Sequence, residues 1–211
     1  MALMQAEAGG GRVEGGYRRS TGSARGVARR RELLAAVTDD VAEHGLVGFS
    51  LRRAAAAAGT THKVLLYHFH DAEDLLANVA TELRARRIGK GLAGALEQAG
   101  SSLADRVRAL WPVLVGSEQD ALLQAIGLAI YDPARYAGLI RGSASEYLTA
   151  LRAICPTAWA DERKTEVAEM VLATLRGFLL AQRIETDAHD VAAGLAALER
   201  ALRREEADDS E

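Results

Sequence analysis

The segment SLRRAAAAAGTTHKVLLYHFHD, residues 50–71, constrains the fold more than any other part of the chain. Five alanines in a row resemble a flexible linker, but Ser50 before them is a residue type that caps helix N-termini. Gly59 after them can adopt the left-handed conformation that a tight turn needs. Alanine has the highest helix propensity. The pattern therefore predicts two short helices, about Leu51–Ala58 and His62–Phe69, that cross at close range.

Longer helices are predicted on both sides of this pair. A first helix, about Arg25–His44, has apolar residues at helical spacing and ends at Gly45. Its expected buried stripe consists of Val27, Leu34, Val37 and Val41. Asp71 is placed to cap a longer helix, about Ala72–Ile88. One long and two short helices with a glycine turn make a helix-turn-helix arrangement.

The rest of the chain is also predicted to be helical, because only three prolines occur and no window alternates in the way a strand does. The predicted helices are about Ser102–Val115, Gln119–Tyr131, Asp132–Ile154, Asp161–Ile184 and Asp187–Arg204. We expect an all-α protein with a helix-turn-helix domain at 25–71 and a second helical domain at 72–205. A disordered basic tail at 1–24 and an acidic tail at 206–211 flank them.

Charge is distributed unevenly. Residues 1–70 hold 10 Lys and Arg against 6 Asp and Glu, a net +4, and the remainder holds 16 against 23, a net −7, which together make −3. A basic front favours contact with a polyanion; the alternative is a basic tail without a partner. The single cysteine excludes an internal disulfide and fits a reducing cytoplasm. No apolar run reaches membrane-spanning length and no signal peptide is evident, so we expect a cytoplasmic protein.

The second short helix is expected to enter a major groove of DNA. Its hydroxyl, imidazole and ammonium groups can bond phosphates or base edges, and arginines on the neighbouring helices supply positive charge. Leu65 and Phe69 are expected to pack inward. The candidate DNA-binding residues are Arg29, Arg30, Ser50, Arg52, Thr61, His62, Lys63, Tyr67 and His68.

The segment RRELLAAVTDDVAEHGLVGFSLRRAAAAAGTTHKVLLYHFHDAEDLL resembles the DNA-binding region of TetR-family transcriptional regulators. The matching features are the Gly45–Phe49 bend, Ala55, Ala58, Gly59, Thr61, Leu65, His68–Phe69 and Glu73–Leu76. The resemblance implies a helical ligand-binding domain, a palindromic DNA operator and dimerisation through the last two helices. The chain departs from the family at Ala54, where an aliphatic residue is usual, at Leu66, where Tyr is usual, and at Ala72, where a phosphate-binding Lys is usual.

The resemblance also implies a homodimer in which the last two helices of each chain form a four-helix bundle. Their apolar residues step by three and four, as in a coiled coil. The candidate dimerisation residues are Val171, Leu175, Val191, Leu195, Leu198 and Leu202.

A small-molecule effector is expected between the middle helices, where the aromatic residues concentrate. The candidate ligand-binding residues are Trp111, Leu114, Leu123, Ile126, Tyr131, Tyr136, Ile140, Tyr147, Met170, Thr174 and Phe178. Each could instead be ordinary core. Because no buried charge is evident in this region, a neutral or aromatic ligand is expected.

Other function classes find less support. His68 and His70 would lie on opposite sides of a helix, and no cysteine joins His62 in a tetrahedral set, so no metal site is expected. We find no phosphate loop, nucleophile elbow or HExxH pattern, so no enzyme and no cofactor are expected. The sequence favours a ligand-responsive DNA-binding repressor, released from its operator by a small molecule. The alternative is a helical interaction or ligand-binding protein that has lost DNA binding.

Overall fold

The computed structural model describes residues 23–97, 102–116, 118–184 and 191–207. Over these ranges the chain forms helices and no strand, which confirms the all-α prediction. In chain order the helices are α1 Ala24–His44, α2 Leu51–Ala57, α3 His62–His68, α4 Ala72–Glu97, α5 Leu103–Leu114, α6 Gln119–Tyr131, α7 Pro133–Ile140, α8 Ser143–Ile154, α9 Asp161–Ile184 and α10 Ala192–Ala207.

The helix-turn-helix segment forms as its local signals predict. The Ser50 hydroxyl accepts a hydrogen bond from the Arg53 amide at 3.2 Å and so caps α2. Thr61 caps α3 in the same way. Gly59, between them, has φ +56°, a left-handed conformation that alanine would adopt only with strain. The short pair therefore owes its shape to caps and a turn residue.

Two helices differ from the prediction. α4 continues to Glu97 instead of ending near Ile88. Gly91, within the added part, is buried where a methyl group would lie 3.2 Å from the Leu110 side chain of α5. Glycine would tend to end an isolated helix, but at this position it allows α4 and α5 to pack closely. The helix predicted from Asp132 to Ile154 is broken into α7 and α8 at Gly142, which has φ +74°.

The chain ends also differ from the expected boundaries. α10 runs to Ala207, so the first two residues of the expected acidic tail are helical. The Glu206 carboxylate accepts a hydrogen bond from the Leu103 amide at 2.6 Å, which ties α10 to the start of α5. The predicted disorder of residues 1–22 and the predicted helix start at Asp187 lie outside the described residues.

Two apolar cores hold the helices together. The first joins α1, α2 and α3 to the front of α4 and to α6 and α7. Leu65 of α3 and Phe69, the residue directly after α3, are buried in it, as predicted. In α1 the stripe prediction is wrong at Val27, which is 49% exposed, because the core starts only at Leu33. The second core joins the end of α4 to α5, α8, α9 and α10.

The helix α4 belongs to both cores. Its residues Leu75 and Val79 pack with the helix-turn-helix, whereas Ala95 packs with α5. The first core thus continues across residues 71 and 72, where the sequence predicted a domain boundary. The division into two domains stays a prediction. A rigid-body movement of α4 would therefore shift residues in both cores.

No single helix within the described ranges has the length and apolar character to cross a membrane. The pair α5 and α6, bent by 86°, passes that test together, on length and composition alone. No group of His, Cys, Asp or Glu side chains in the same ranges could hold a metal ion.

Candidate functional sites: a helix-turn-helix surface and a cationic cavity

The outer face of the helix-turn-helix carries most of the predicted DNA-binding residues. His62 and Lys63 are exposed on the first turn of α3, beside the exposed cap Thr61. Ser50 and Arg52 are exposed at the start of α2. Each capping hydroxyl accepts from an amide, so its own O–H remains available to donate to a phosphate. All five residues are therefore accessible to solvent.

A shallow groove extends this surface between the start of α1 and the end of α3. Arg25 and Arg29 line it together with Tyr67 and His68. The Arg29 guanidinium is exposed and pairs with Glu32 of the same helix at 3.0 Å. Burial, followed by the charges of Arg29 and Arg30, lowers the pKa of His68, so this imidazole is neutral at pH 7. Positive charge in the groove comes from the arginines.

The prediction that Arg30 faces DNA is wrong. Its Nε donates to the His68 carbonyl at 3.2 Å and its Nη2 donates to Asn78 Oδ1 at 3.0 Å. The guanidinium also lies 4.5 Å from the centre of the Phe69 ring. Arg30 therefore fastens α1 to α3 and α4. Nothing local in the sequence distinguishes it from its neighbour Arg29.

Arg53, expected to add charge near DNA, is also used internally. It donates to the Asp40 carboxylate at 2.7 Å and to the Gly45 carbonyl at 3.0 Å. These bonds hold the end of α1 against α2. Asp40 and Arg53 are thirteen positions apart and lie in different helices, so no helical spacing in the sequence predicts that they pair.

Of the three departures from the family pattern, Ala54 is buried in the first core, and Leu66 and Ala72 are the two that remain at least partly accessible. Leu66 is 42% exposed on α3, directly before the half-buried Tyr67. Ala72 is the first residue of α4 and is partly buried. An apolar residue thus occupies part of the face that would meet DNA.

A cavity lies between the middle helices, bounded by α4 to α9. Its empty space, including the opening to solvent, is about 940 Å³, but the centre of a water molecule reaches only about 90 Å³ of it. The cavity is therefore narrow. Its wall is mostly leucine and isoleucine. Five of the candidate ligand-binding residues line it: Leu114, Leu123, Ile126, Ile140 and Tyr147.

The other aromatic candidates lie outside the cavity. Trp111 and Phe178 pack edge to face, with ring centres 6.3 Å apart, against the second core. Tyr131 is 87% exposed at the end of α6. Tyr136 lies under the Arg135 guanidinium and packs against the first core. These rings were predicted from their position in the middle helices, but their helix faces point elsewhere.

The two remaining candidates belong to α9. Met170 is exposed, and the Thr174 hydroxyl donates to the Met170 carbonyl at 2.8 Å within the helix. Neither lines the cavity. One turn further along, Arg176 does line it, although the sequence prediction passed over this residue.

Three arginines in the cavity wall contradict the expectation of a region without buried charge. Arg84, Arg87 and Arg176 all line the cavity, and none of its described lining residues is acidic. Arg84 and Arg87 come from the sequence RARR, which by composition is typical of a solvated helix face. They are nevertheless 2% and 5% exposed.

Arg84 is fully engaged by protein groups. Its Nε donates to the Glu146 carboxylate at 2.8 Å and its Nη1 donates to the Leu139 carbonyl at 2.7 Å. The Thr81 hydroxyl accepts a third bond. Arg84 therefore holds the break between α7 and α8 against α4.

Arg87 and Arg176 lack such partners. Arg87 Nη2 donates to the Leu114 carbonyl, but its buried Nε has no acceptor. Arg176 lies 5.5 Å from the centre of the Tyr147 ring. Burial, with the positive charge of Arg87, lowers the pKa of Arg176, while Tyr147 acts in the opposite direction. Arginine nevertheless stays protonated in proteins.

Two elements connect the cavity with the helix-turn-helix. α4 carries both Arg87 and the Arg30 partner Asn78. α6 carries Gln124, whose Oε1 accepts from the Leu46 amide at 2.6 Å. Gly45 beside it has φ +73°, which strains any other residue, and a methyl group there would lie 2.7 Å from that oxygen and displace the Gln124 amide.

The predicted dimer seam is wrong as an interface between chains. Five of its six residues are buried within the chain, and Leu195 is half-buried. Val171, Leu175, Leu198 and Leu202 belong to the second core, and Val191 is buried at the start of the last helical segment. The three-and-four spacing marks a packed helix face but does not say whether the partner is the same chain.

No family profile and no curated protein matches the chain. Solved structures do. A TetR-family protein from Mesorhizobium loti matches with a TM-score of 0.64 at 16% identity, covering 86% of this chain and 96% of that one. A protein assigned as a transcriptional regulator from Pseudomonas aeruginosa matches with a TM-score of 0.62 at 22% identity, covering 90% and 95%. The multidrug binding protein EbrR, solved with imidazole, matches with a TM-score of 0.60 at 24% identity, covering 83% and 90%.

These similarities show the fold. The chain has the all-α architecture of TetR-family transcriptional regulators, with a helix-turn-helix followed by a larger helical part. The resemblance drawn from the sequence is confirmed at that level.

Proposed function

We propose that the chain is a sequence-specific DNA-binding transcriptional regulator that responds to a small molecule. The observation that carries the proposal is a capped, exposed α3 whose supporting helices also form the wall of a cavity. His62 and Lys63 would contact base edges, and Arg29 and Arg52 would contact phosphates. It would act in the cytoplasm, as a non-enzymatic repressor.

The response would pass through α4 and α6. A ligand in the cavity can shift the equilibrium only if it binds one arrangement of these helices better than another. Movement of α4 would reach α3 through Asn78 and Arg30, and movement of α6 would reach the turn after α1 through Gln124. Either movement would reposition α3 and lower the affinity for DNA.

Regulation would require a homodimer, because two copies of α3 must meet the two halves of a palindromic operator. With the predicted seam buried, we place the interface on the exposed face of α9 and α10. That face is made of small and apolar residues: Met170, Ala173, Gly177, Leu180, Ile184, Ala193 and Ala197. Small residues allow two helices to approach closely.

The dimer assignment is tested by size. Leu180→Glu places a charge in the proposed interface without touching the core, so we expect monomers in sedimentation equilibrium. Arg183→Glu, on the same helix, is the matched control and should stay dimeric. Dimeric Leu180→Glu would refute the interface.

DNA binding is tested by selecting sequences from a random duplex pool with the full chain. We expect a palindromic motif, and Lys63→Ala should bind it about 5- to 150-fold more weakly if Lys63 contacts a base, as a loss of about 1–3 kcal/mol implies. Arg204→Ala, exposed on α10, is the control. If no motif is enriched, the regulator proposal fails. A ligand-binding protein that has lost DNA binding, as the exposed Leu66 would favour, then takes its place.

A further inference from the structure

The cavity contains positive charge that the described protein groups do not neutralise. Arg87 is 5% exposed and its Nε has no acceptor among the described residues, and the half-buried Arg176 has the Tyr147 ring but forms no ion pair with a described carboxylate. A buried charge without a counter-charge is costly in free energy. Such a charge persists in a protein when something outside the chain pairs with it.

Arg84 provides the internal comparison. It lies one turn before Arg87 on α4 and lines the same cavity, yet Glu146 and the Leu139 carbonyl satisfy it. The fold can therefore supply a carboxylate to a buried arginine in this wall. It does so for Arg84, whose role is structural, whereas no carboxylate in the described part of the chain pairs with the other two.

The other residues that line the cavity indicate the chemistry of the rest of the ligand. Its wall is apolar apart from the arginines and a few hydroxyls, such as those of Ser143 and Tyr147. Its small interior fits a slender body better than a bulky one. Guanidinium groups bind carboxylate and phosphate groups through paired hydrogen bonds, which a neutral head group cannot match.

We propose that the effector is an amphipathic acid, a slender apolar molecule that ends in one carboxylate or phosphate group bound by Arg87 and Arg176. This inference rests on the proposed function, since it names the ligand class of the same site. It replaces the neutral ligand expected from the sequence.

The position of Arg87 suggests how such an acid would act. Arg87 Nη2 donates to the carbonyl of Leu114, the last residue of α5. An anion competes with that carbonyl for the same guanidinium. Binding would loosen α5 from α4, the helix that also holds Arg30 through Asn78.

The test uses four ten-carbon probes with different head groups: decanoate, decyl phosphate, decanol and decylammonium. Binding to the full chain without DNA is measured by isothermal titration calorimetry. We expect decanoate or decyl phosphate to bind about tenfold or more tightly than decanol, as a charge-assisted hydrogen bond implies. Decylammonium should bind most weakly. Whichever acid binds better identifies the head group.

Two substitutions assign the effect to the cavity. Arg176→Gln should remove the preference for the acid over decanol. Arg183→Gln, two turns further along α9, removes an exposed arginine outside the cavity and should leave the preference unchanged. Arg176→Lys keeps the positive charge but loses the two parallel N–H donors of the guanidinium. This variant should therefore retain a reduced preference for the acid over decanol.

The outcomes separate this inference from the proposed function. If decanol binds as tightly as the acids, if none of the probes binds, or if Arg176→Gln keeps the preference, the inference is overturned. DNA selection by the same protein would be unaffected by that result. Conversely, an acid preference in a chain that selects no DNA would support the site and refute the regulator.

Discussion

The arginines of the helix-turn-helix and those of the cavity show two uses of the same side chain. Arg30 and Arg53 each bridge helices through two or more acceptors, so they hold the DNA-facing half in shape. Arg87, which is buried, and Arg176, which is half-buried, lie in a mostly apolar cavity wall and have fewer acceptors among the described residues. A buried arginine with acceptors is part of the structure, whereas one without a counter-charge marks a place for an anion.

This difference gives the two halves different expected responses to mutation. In the helix-turn-helix, removing a buried group should lower the free energy of unfolding. In the cavity, removing an unpaired charge should not.

The largest effect is expected from Phe69→Ala. Phe69 is buried in the first core and lies beneath the Arg30 guanidinium, so the substitution leaves a cavity and exposes that charge. We expect the free energy of unfolding to fall by about 3–5 kcal/mol, measured by urea denaturation. Leu66→Ala, on the exposed side of the same helix, should change it little. Equal effects would mean that α3 is not anchored through Phe69.

The sharpest contrast lies within the cavity wall. Arg84→Met leaves the Leu139 carbonyl and Glu146 without their donor, so it should cost on the order of 1–3 kcal/mol. Arg176→Met removes an unneutralised charge and should leave stability unchanged or raise it. Urea denaturation of both variants without ligand compares them directly. If Arg176→Met were as damaging as Arg84→Met, both arginines would be structural.

A smaller effect is expected from Gln124→Ala, which removes the acceptor of the Leu46 amide. The loss in unfolding free energy should be about 1 kcal/mol. Gln124 joins α6 to the turn after α1. A higher concentration of the amphipathic acid should therefore be needed to release this variant from DNA than to release the wild type. Gln119→Ala, at the start of the same helix, is the control. Unchanged release would place the coupling in α4 alone.

The smallest effect concerns Arg29. Arg29→Ala should leave folding intact but reduce the salt dependence of DNA binding by about one unit of slope, as the loss of one phosphate contact implies. Arg30→Ala should instead lower stability, because its bonds join three helices. Binding measured by anisotropy across a salt series checks both. An unchanged slope for Arg29→Ala would remove this residue from the DNA interface.

The sequence predicted the elements whose signals are local. Caps at Ser50 and Thr61 and a turn at Gly59 act within a few residues, so the bounds of α2 and α3 are predicted to within one residue. The break at Gly142 and the extension of α4 past Gly91 depend on what packs against each glycine. That information lies in distant parts of the chain.

The candidate sites divide in the same way. Leu123 and Ile126 were placed near the cavity because apolar spacing shows which helix faces are buried. The same spacing misassigned the seam at Leu198 to a dimer, since spacing does not identify the partner. Arg87 and Arg176 were missed because a charged residue in a helix is usually solvated, and only the packing shows that Arg87 is buried and Arg176 half-buried in the cavity wall.

The most direct test follows ligand binding in the cavity and DNA binding by the helix-turn-helix in one measurement. Fluorescence anisotropy of the selected DNA duplex is followed while decanoate is added to the wild type, to Arg176→Gln and to Arg183→Gln. We expect all three proteins to bind the duplex equally. Decanoate should release the wild type and Arg183→Gln but not Arg176→Gln, and decanol should release none at the same concentration. Release of Arg176→Gln by the same amount of decanoate would contradict the account.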